Sequence, residues 1–332
     1  MTAKDFGIGI IGTGKYIPKK VITNEEVERL TGVSAAEIYK KTGISKRFIV
    51  EDYETASGMS LKAAEVSLKN ARINSEQLNM IIGCTFTGDY IFPAMACKIQ
   101  EQLGAWNAGA FDVMANCTGF QVGLTLASDR MIMDSNNKYA LVIGSAIQSR
   151  YIKWTDPSTA IYFGDGAGAA ILGQVPSGYG ILASDILSNG RVYDAVRLRG
   201  GGSSYTINPS NVNEGFQYYE MNGMEVWKQV IQYQPIVIKR VLSKISKKIE
   251  DVNYFIFHQA NLRLIEYLMG KMKQPMSKTF TNITDIGNTA DASMAIALND
   301  AVEAQRIKRD DLVIISGVGA GFTFGATAIR WY

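Results

Sequence analysis

Two stretches, Glu76-Gln-Leu-Asn-Met-Ile-Ile-Gly-Cys-Thr85 and Glu250-Asp-Val-Asn-Tyr-Phe-Ile-Phe-His-Gln259, share one plan: an acidic helix end leads into a short apolar run. A continuous apolar run of this kind reads as a strand buried on both faces. Asn137-Lys-Tyr-Ala-Leu-Val-Ile-Gly-Ser145 and Arg309-Asp-Asp-Leu-Val-Ile-Ile-Ser-Gly317 repeat the relation, with separations of about 174 and 172 residues for the two pairs. Two matches in the same order at nearly one offset point to a duplicated βα unit. The turn residues Gly173-Gln-Val-Pro-Ser-Gly178 lie between the copies and divide the chain into residues 1–174 and 175–332.

Working outward, Gly7–Gly14 is a short apolar strand, and a polar helix follows from Asn24, whose side chain can cap it ahead of Glu25 and Glu26. Residues 59–70 carry apolar side chains at helical spacing. Phe92-Pro93 opens a helix through Leu103, and residues 110–114 form a strand leading into a helix from about Thr118. Residues 139–145 and 168–172 are further apolar strands. The alternation predicts an α/β protein with a mostly parallel sheet covered by helices. The uncharged run Leu312–Ile329 is just long enough to raise a membrane helix. Its four glycines among β-branched residues fit two buried strands joined by a glycine turn better.

Length and composition narrow the function. A chain of 332 residues with 47% hydrophobic and 20% charged residues can bury a large core without staples. A net charge of +3 is too small to predict nucleic-acid binding. One histidine and three cysteines with no CxxC pair fall short of a zinc site or a disulfide framework. Met1-Thr-Ala-Lys-Asp-Phe6 lacks the basic start and apolar stretch of a secretion signal, so the cytoplasm is expected. The literal GxGxxG at Gly7–Gly12 lies within a strand, with Pro18 where a dinucleotide-binding helix should run. No GxSxG or phosphate-binding P-loop occurs. The most basic stretch, residues 239–248, reads as the solvated face of a helix whose Ile238, Val241, Leu242, Ile245 and Ile249 face inward.

Three residues carry candidate chemistry. Ala110-Phe-Asp-Val-Met-Ala-Asn-Cys-Thr-Gly-Phe120 puts Cys117 at the end of a buried strand where a helix starts. Unpaired N–H groups and the positive helix end favour thiolate there, so a lowered thiol pKa is expected. The competing reading is an inert core cysteine, which Cys84, in mid-strand, and Cys97, within a helix, are taken to be. His258 ends a strand at its carboxyl side, where α/β proteins place ligands, although a lone histidine is as readily structural. Asn288 follows Gly287 in a loop ahead of a helix near Ser293, a placement that an ordinary turn also shows.

The set Asn-Cys-Thr-Gly-Phe (116–120), Phe-Gly-Asp-Gly-Ala-Gly-Ala-Ala (163–170), His-Gln-Ala-Asn-Leu-Arg (258–263), Gly-Asn-Thr (287–289) and Gly-Ala-Gly-Phe-Thr-Phe-Gly (319–325) resembles the β-ketoacyl-acyl-carrier-protein synthase III family of thiolase-like condensing enzymes. The match runs in order from Ile8 to the C-terminus. The resemblance implies a duplicated, five-layered αβαβα fold, a homodimer, and a catalytic triad of Cys117, His258 and Asn288. It also implies an oxyanion hole from the backbone N–H groups of Cys117 and Ala320, and no metal or resident cofactor. Lys41, Asn261 and Arg263 match positions that meet pantetheine and its phosphates, and Phe92 matches the residue that reaches across the dimer into the partner's acyl pocket. Lys228, Arg263, Lys271 and Lys273 could present charge to an acidic acyl carrier protein.

The implied reaction is acyl transfer from a thioester to Cys117, then decarboxylative Claisen condensation with a malonyl-type or β-ketoacyl thioester, in fatty-acid or polyketide and other specialised-metabolite biosynthesis. No second cysteine stands in the C-terminal glycine loop, which sets the chain apart from thiolases. The family's starters of fatty-acid synthesis sandwich adenine between tryptophan and arginine; Glu37 and Pro157 stand at the matching positions, and Asp291 replaces a small residue. These departures point to a carrier-protein donor, or to an unusual acyl group, in place of acetyl-CoA. Plain transfer of the acyl group to an oxygen, nitrogen or carbon acceptor, and a catalytically silent partner, are the alternatives.

Overall fold

The structure, a computed structural model, describes residues 6–332. The first five residues, on which the absence of a secretion signal was read, lie outside the described residues. The first half contains β1 (Phe6–Tyr16), β2 (Lys20–Thr23), α1 (Asn24–Thr31), α2 (Ala35–Thr42), β3 (Lys46–Ile49), α3 (Ala56–Ala71), β4 (Met80–Cys84), α4 (Met95–Gln102), β5 (Gly109–Val113), α5 (Gly119–Met133), β6 (Tyr139–Ala146), α6 (Pro157–Ala160) and β7 (Gly166–Pro176). The second contains β8 (Gly180–Ser188), β9 (Val196–Leu198), β10 (Tyr219–Met221), α7 (Gly223–Lys244), β11 (Tyr254–Phe257), α8 (Leu262–Lys271), α9 (Ile283–Ile286), α10 (Ser293–Glu303), β12 (Leu312–Gly319) and β13 (Thr323–Arg330).

Two sheets, ordered β1-β7-β6-β4-β5 and β11-β12-β13-β8, sandwich α5 and α10 between them. Outside the first sheet lie α3 and α4; outside the second lie α7 and α8. The five layers αβαβα, a thiolase-like arrangement, follow from where apolar surface can go. The central helices are apolar on nearly every face: all of α10 from Ser293 to Asn299 is buried. Phe120, Leu124, Met294 and Leu298 of these helices join Ile82, Val142, Ile256 and Ile315 of both sheets in one core. The outer helices α7 and α8 are one-sided, burying Val237, Val241, Leu264 and Leu268 against the second sheet.

Both sheets are mixed, which corrects the expectation of a mostly parallel one. β4 runs parallel to β5 and β6, and β11 to β12, but β1–β7, β6–β7, β12–β13 and β8–β13 are antiparallel. An apolar run states that a strand is buried and says nothing of its direction. The uncharged segment is the β12–β13 hairpin, and among the described residues no helix is long and apolar enough to cross a membrane. Gly9 and Gly12 sit inside β1, where a Cβ would run into Val175 and the backbone of α3.

Four local expectations also change. Thr23, one residue before Asn24, caps α1 in a reciprocal capping box with Glu26. Asn24 instead donates to the Ile44 carbonyl and accepts from the buried Arg47 guanidinium. The helix after Phe92-Pro93 begins only at Met95, because Asp112 on β5 accepts from the Met95 and Ala96 N–H groups. Cys97 is exposed, whereas Cys84 is buried as expected. The basic stretch leaves α7 at Lys244; Ile238, Val241 and Leu242 are buried.

Candidate active site

The nucleophile candidate lies on a tight turn. After β5 the chain enters a short 3-10 turn, Asn116–Thr118, through Asn116 at φ +49°, and then α5 begins. That left-handed residue reverses the chain sharply enough to set Cys117 at the opening of the helix. The C-terminal hairpin closes over the turn: Asn116 Nδ2 donates to the Ala320 carbonyl (3.0 Å) and Thr118 Oγ1 to the Thr323 carbonyl (2.9 Å). Gly319 permits this approach, since a Cβ there would overlap the Ala115 carbonyl oxygen.

His258 follows β11, its backbone N–H donating to the Ser316 carbonyl of β12 (3.0 Å). Its Nδ1 lies 2.6 Å from Ser293 Oγ, which already accepts from the Gln259 N–H (3.3 Å). The Ser293 hydroxyl also has a proton to donate, and in the tautomer whose Nδ1 accepts it the ring's proton sits on Nε2. Asn288 is held on both sides of its peptide: its N–H donates to the Tyr162 carbonyl and its carbonyl accepts from Gln148 Nε2 and the Gly164 N–H. Its Oδ1 accepts from the Ala290 N–H (2.9 Å), which leaves Nδ2 as a donor toward the cavity.

One cavity is lined by Cys117, His258 and Asn288 together with Ala320, Phe163, Met221, Trp227 and Phe322. The three residues singled out in the sequence therefore meet, from three separate loops, with the glycine loop carrying Ala320 beside them. Burial holds His258 far below its ordinary value, at about 3, so the imidazole is neutral at physiological pH. The Cys117 thiol does not follow the expectation of a lowered pKa. Burial first, and the Asp291 carboxyl second, push it well up, and its own backbone N–H only opposes them. At rest the site therefore pairs a neutral thiol with a neutral imidazole.

The other predicted residues scatter around the mouth. Asn261 lines the cavity and caps α8, and its Nδ2 donates to the Lys41 carbonyl. Arg263 bridges α8 to α2, donating to the Lys40 and Tyr39 carbonyls and to Glu266. Lys41 pairs with Glu37 at 2.6 Å on the surface. Lys228 faces Glu225 at 4.0 Å, Lys271 donates to the Ile231 carbonyl, and Lys273 follows α8. Phe92 is not in the cavity; with Tyr90 and Ile91 it stands exposed on a loop. Ser293 and Asn116 escaped the sequence reading; the signal for Ser293 is its place five residues after Asn288, at the start of α10. Among the described residues no cluster of three or more His, Cys, Asp or Glu could hold a metal.

The family "3-Oxoacyl-[acyl-carrier-protein (ACP)] synthase III" matches residues 111–190, and its C-terminal counterpart matches residues 242–331. The chain is 39% identical to a β-ketoacyl-[acyl-carrier-protein] synthase III of Natranaerobius thermophilus, over 97% of this chain and 98% of that one. The 3-oxoacyl-[acyl-carrier-protein] synthase III of Aquifex aeolicus superposes with a TM-score of 0.90 at 37% identity, covering 98% of this chain and 100% of that one. The priming β-ketosynthase of the R1128 polyketide pathway superposes at 0.91 with 27% identity, covering 99% and 97%. Sequence, fold and the meeting of Cys117, His258 and Asn288 lead to one conclusion: this chain belongs to the β-ketoacyl-acyl-carrier-protein synthase III family.

Proposed function

We propose that the protein is an acyltransferase that primes carbon-chain synthesis by decarboxylative condensation of thioesters. The observation that carries this is the convergence of Cys117, His258, Asn288 and Ala320 on one cavity. Cys117 sulfur attacks the thioester carbonyl, the carrier thiol leaves, and the thiol proton passes, in balance, to that leaving group. The Cys117 and Ala320 N–H groups hold the oxyanion; such a donor typically contributes about 3 kcal/mol to the transition state. A malonyl-type thioester then loses CO2. Its enolate oxygen needs donors that do not protonate the carbanion, and the Asn288 amide and His258 Nε2–H have that character. The carbanion attacks the acyl-Cys117 carbonyl, and Cys117 departs as thiolate. No step calls for a metal or resident cofactor.

We place the enzyme in the cytoplasm as a homodimer, working on acyl carrier protein or CoA thioesters in fatty-acid or specialised-metabolite synthesis. The exposed edge strand β5 with Phe111, Met114 just beyond it, and the exposed Tyr90, Ile91 and Phe92 favour a second copy of the chain as the partner. The Glu37–Lys41 pair, where an adenine-stacking residue would be expected, favours a carrier-protein donor. Intact-mass measurement of Cys117 against a panel of thioesters, followed by malonyl carrier protein with CO2 detection, tests the scheme. Acylation followed by CO2 release is expected. Acylation without CO2 release shows plain transfer to another acceptor, and no acylation shows a silent subunit; either overturns the proposal.

A further inference from the structure

Helix α7 contains a gap in its own hydrogen-bond ladder. Pro235 stands in its interior. Because proline has no N–H, the Ile231 carbonyl four residues earlier loses the donor that any other residue at position 235 would supply. Lys271, the last residue of α8, takes that place: its Nζ donates to the Ile231 carbonyl oxygen at 2.7 Å. One turn earlier in both helices, the Trp227 and Tyr267 rings pack with centroids 5.7 Å apart. Both contacts join residues 40 apart, so α7 and α8 lie side by side and run the same way. Their leading ends form one wall of the cavity, with Gly223, Val226 and Trp227 from α7, Leu264 from α8 and Asn261 from its cap. The Ile231–Lys271 bond lies one turn behind that wall.

We propose that Lys271 is a positioning residue for the substrate channel: its ammonium replaces the donor that Pro235 lacks and so fixes the wall that α7 and α8 present to the pantetheine arm of a thioester. The inference rests on the proposed use of this cavity, and it gives Lys271 a role other than the carrier docking expected of it. A helix interrupted by proline bends or opens at the freed carbonyl unless another group satisfies it. Here a charged donor does so from the neighbouring helix, and the spacing of the two helices is set where α7 is weakest. The reacting groups stand elsewhere: Cys117 precedes α5, His258 follows β11, Asn288 precedes α10, and Ala320 lies in the β12–β13 turn. A wall that shifts therefore changes how well the arm is held, in ground state and transition state alike, and leaves the chemical step intact. A lysine that acts through its charge, on a carrier or on the arm itself, does so whatever stands at position 235. A positioning lysine is needed only while Pro235 withholds its donor.

The probe is pantetheine with its thiol replaced by a bromoacetamide, whose carbon Cys117 sulfur attacks with loss of bromide; neither acyl transfer nor a carrier protein is involved. Peptide mass separates labelling of Cys117 from that of the exposed Cys97. The concentration dependence gives a half-saturating concentration for the arm and a limiting rate for the chemistry. In the full-length protein, Lys271→Met is expected to raise the half-saturating concentration about fivefold, the scale of one hydrogen bond, with the limiting rate and the rate with plain iodoacetamide unchanged. In a Pro235→Ala background, where position 235 regains its N–H, the same substitution should leave the half-saturating concentration within about twofold. An unchanged half-saturating concentration in Lys271→Met overturns the proposal. So does a rise of equal size in the Pro235→Ala background, which marks direct contact between Lys271 and the arm. A probe that labels the unsubstituted protein without saturation overturns the channel and this proposal with it; saturation there, with no shift in the variant, overturns the role of Lys271 alone.

Discussion

Ser293→Ala isolates the contribution of His258 orientation to the decarboxylation step. Among the described residues the hydroxyl makes the only side-chain hydrogen bond to Nδ1, at 2.6 Å, in a residue just 6% exposed. Its removal leaves a buried ring nitrogen without a partner, which costs about 1–3 kcal/mol. It also releases the ring to carry its proton on Nδ1, a form with no donor toward the enolate. The loss falls on the transition state in which enolate charge develops, so CO2 release should slow by roughly 10- to 100-fold, short of the 10²–10³ expected for deleting an oxyanion donor outright. Acylation of Cys117 uses the backbone N–H groups of Cys117 and Ala320 and should change less than threefold, on the order of the spread for a site without lost contacts. The assay measures both steps separately: intact mass for acylation, and ¹⁴CO2 from labelled malonyl carrier protein for decarboxylation. Equal slowing of both steps, or CO2 release within about twofold of the parent in a folded variant, would refute the role given to the Ser293–His258 contact.

Gly319→Ala should distort the oxyanion hole, because the added methyl meets the Ala115 carbonyl and pushes the Ala320 loop off the Cys117 turn; a fall in acylation rate of about 10²-fold is expected, against no change if the loop yields freely. His258 also makes stability depend on pH. Its folded value of about 3 lies below the ordinary 6.5, so the unfolded chain binds more protons between these values and stability falls as pH drops below 6.5. By pH 5 the loss is about 2 kcal/mol, and the difference in unfolding free energy between the parent and His258→Gln, measured by urea titration, should shrink by that amount between pH 7 and pH 5. Charge reversal at Lys228 and Arg263 should slow turnover with carrier-protein thioesters more at low salt than at high salt; equal loss at both would count against electrostatic docking.

The parts of this molecule written in local pattern were legible, and the parts decided by distant packing were not. Four buried strands, β4, β6, β11 and β12, stand out as apolar runs, and their common offset reveals the duplication. Cys117, His258 and Asn288 could be chosen because each occupies a strand end or a helix start, and they do meet. Strand direction was hidden, since residues buried on both faces carry no orientation signal; β7 and β13 look the same either way. The start of α4 was set by Asp112 from another strand, and that of α1 by which of two adjacent capping residues finds Glu26 three positions on. The thiol's direction of shift was misread because the helix-end effect is visible in sequence, whereas the burial and Asp291 that outweigh it are not.

The place of β13 bears on how the molecule comes to be folded. It is inserted between β12, its immediate predecessor, and β8, whose residues were made some 140 positions earlier. Until it docks, the second sheet has an open seam, and the loop bearing Ala320 has no fixed seat above Cys117. Contacts that span so much of the chain form slowly, since the intervening polymer must first be confined. The ability to accept an acyl group is thus withheld until both halves have assembled. Acyl uptake during refolding should trail the recovery of helical circular dichroism, reporting completion of the sandwich and not its onset.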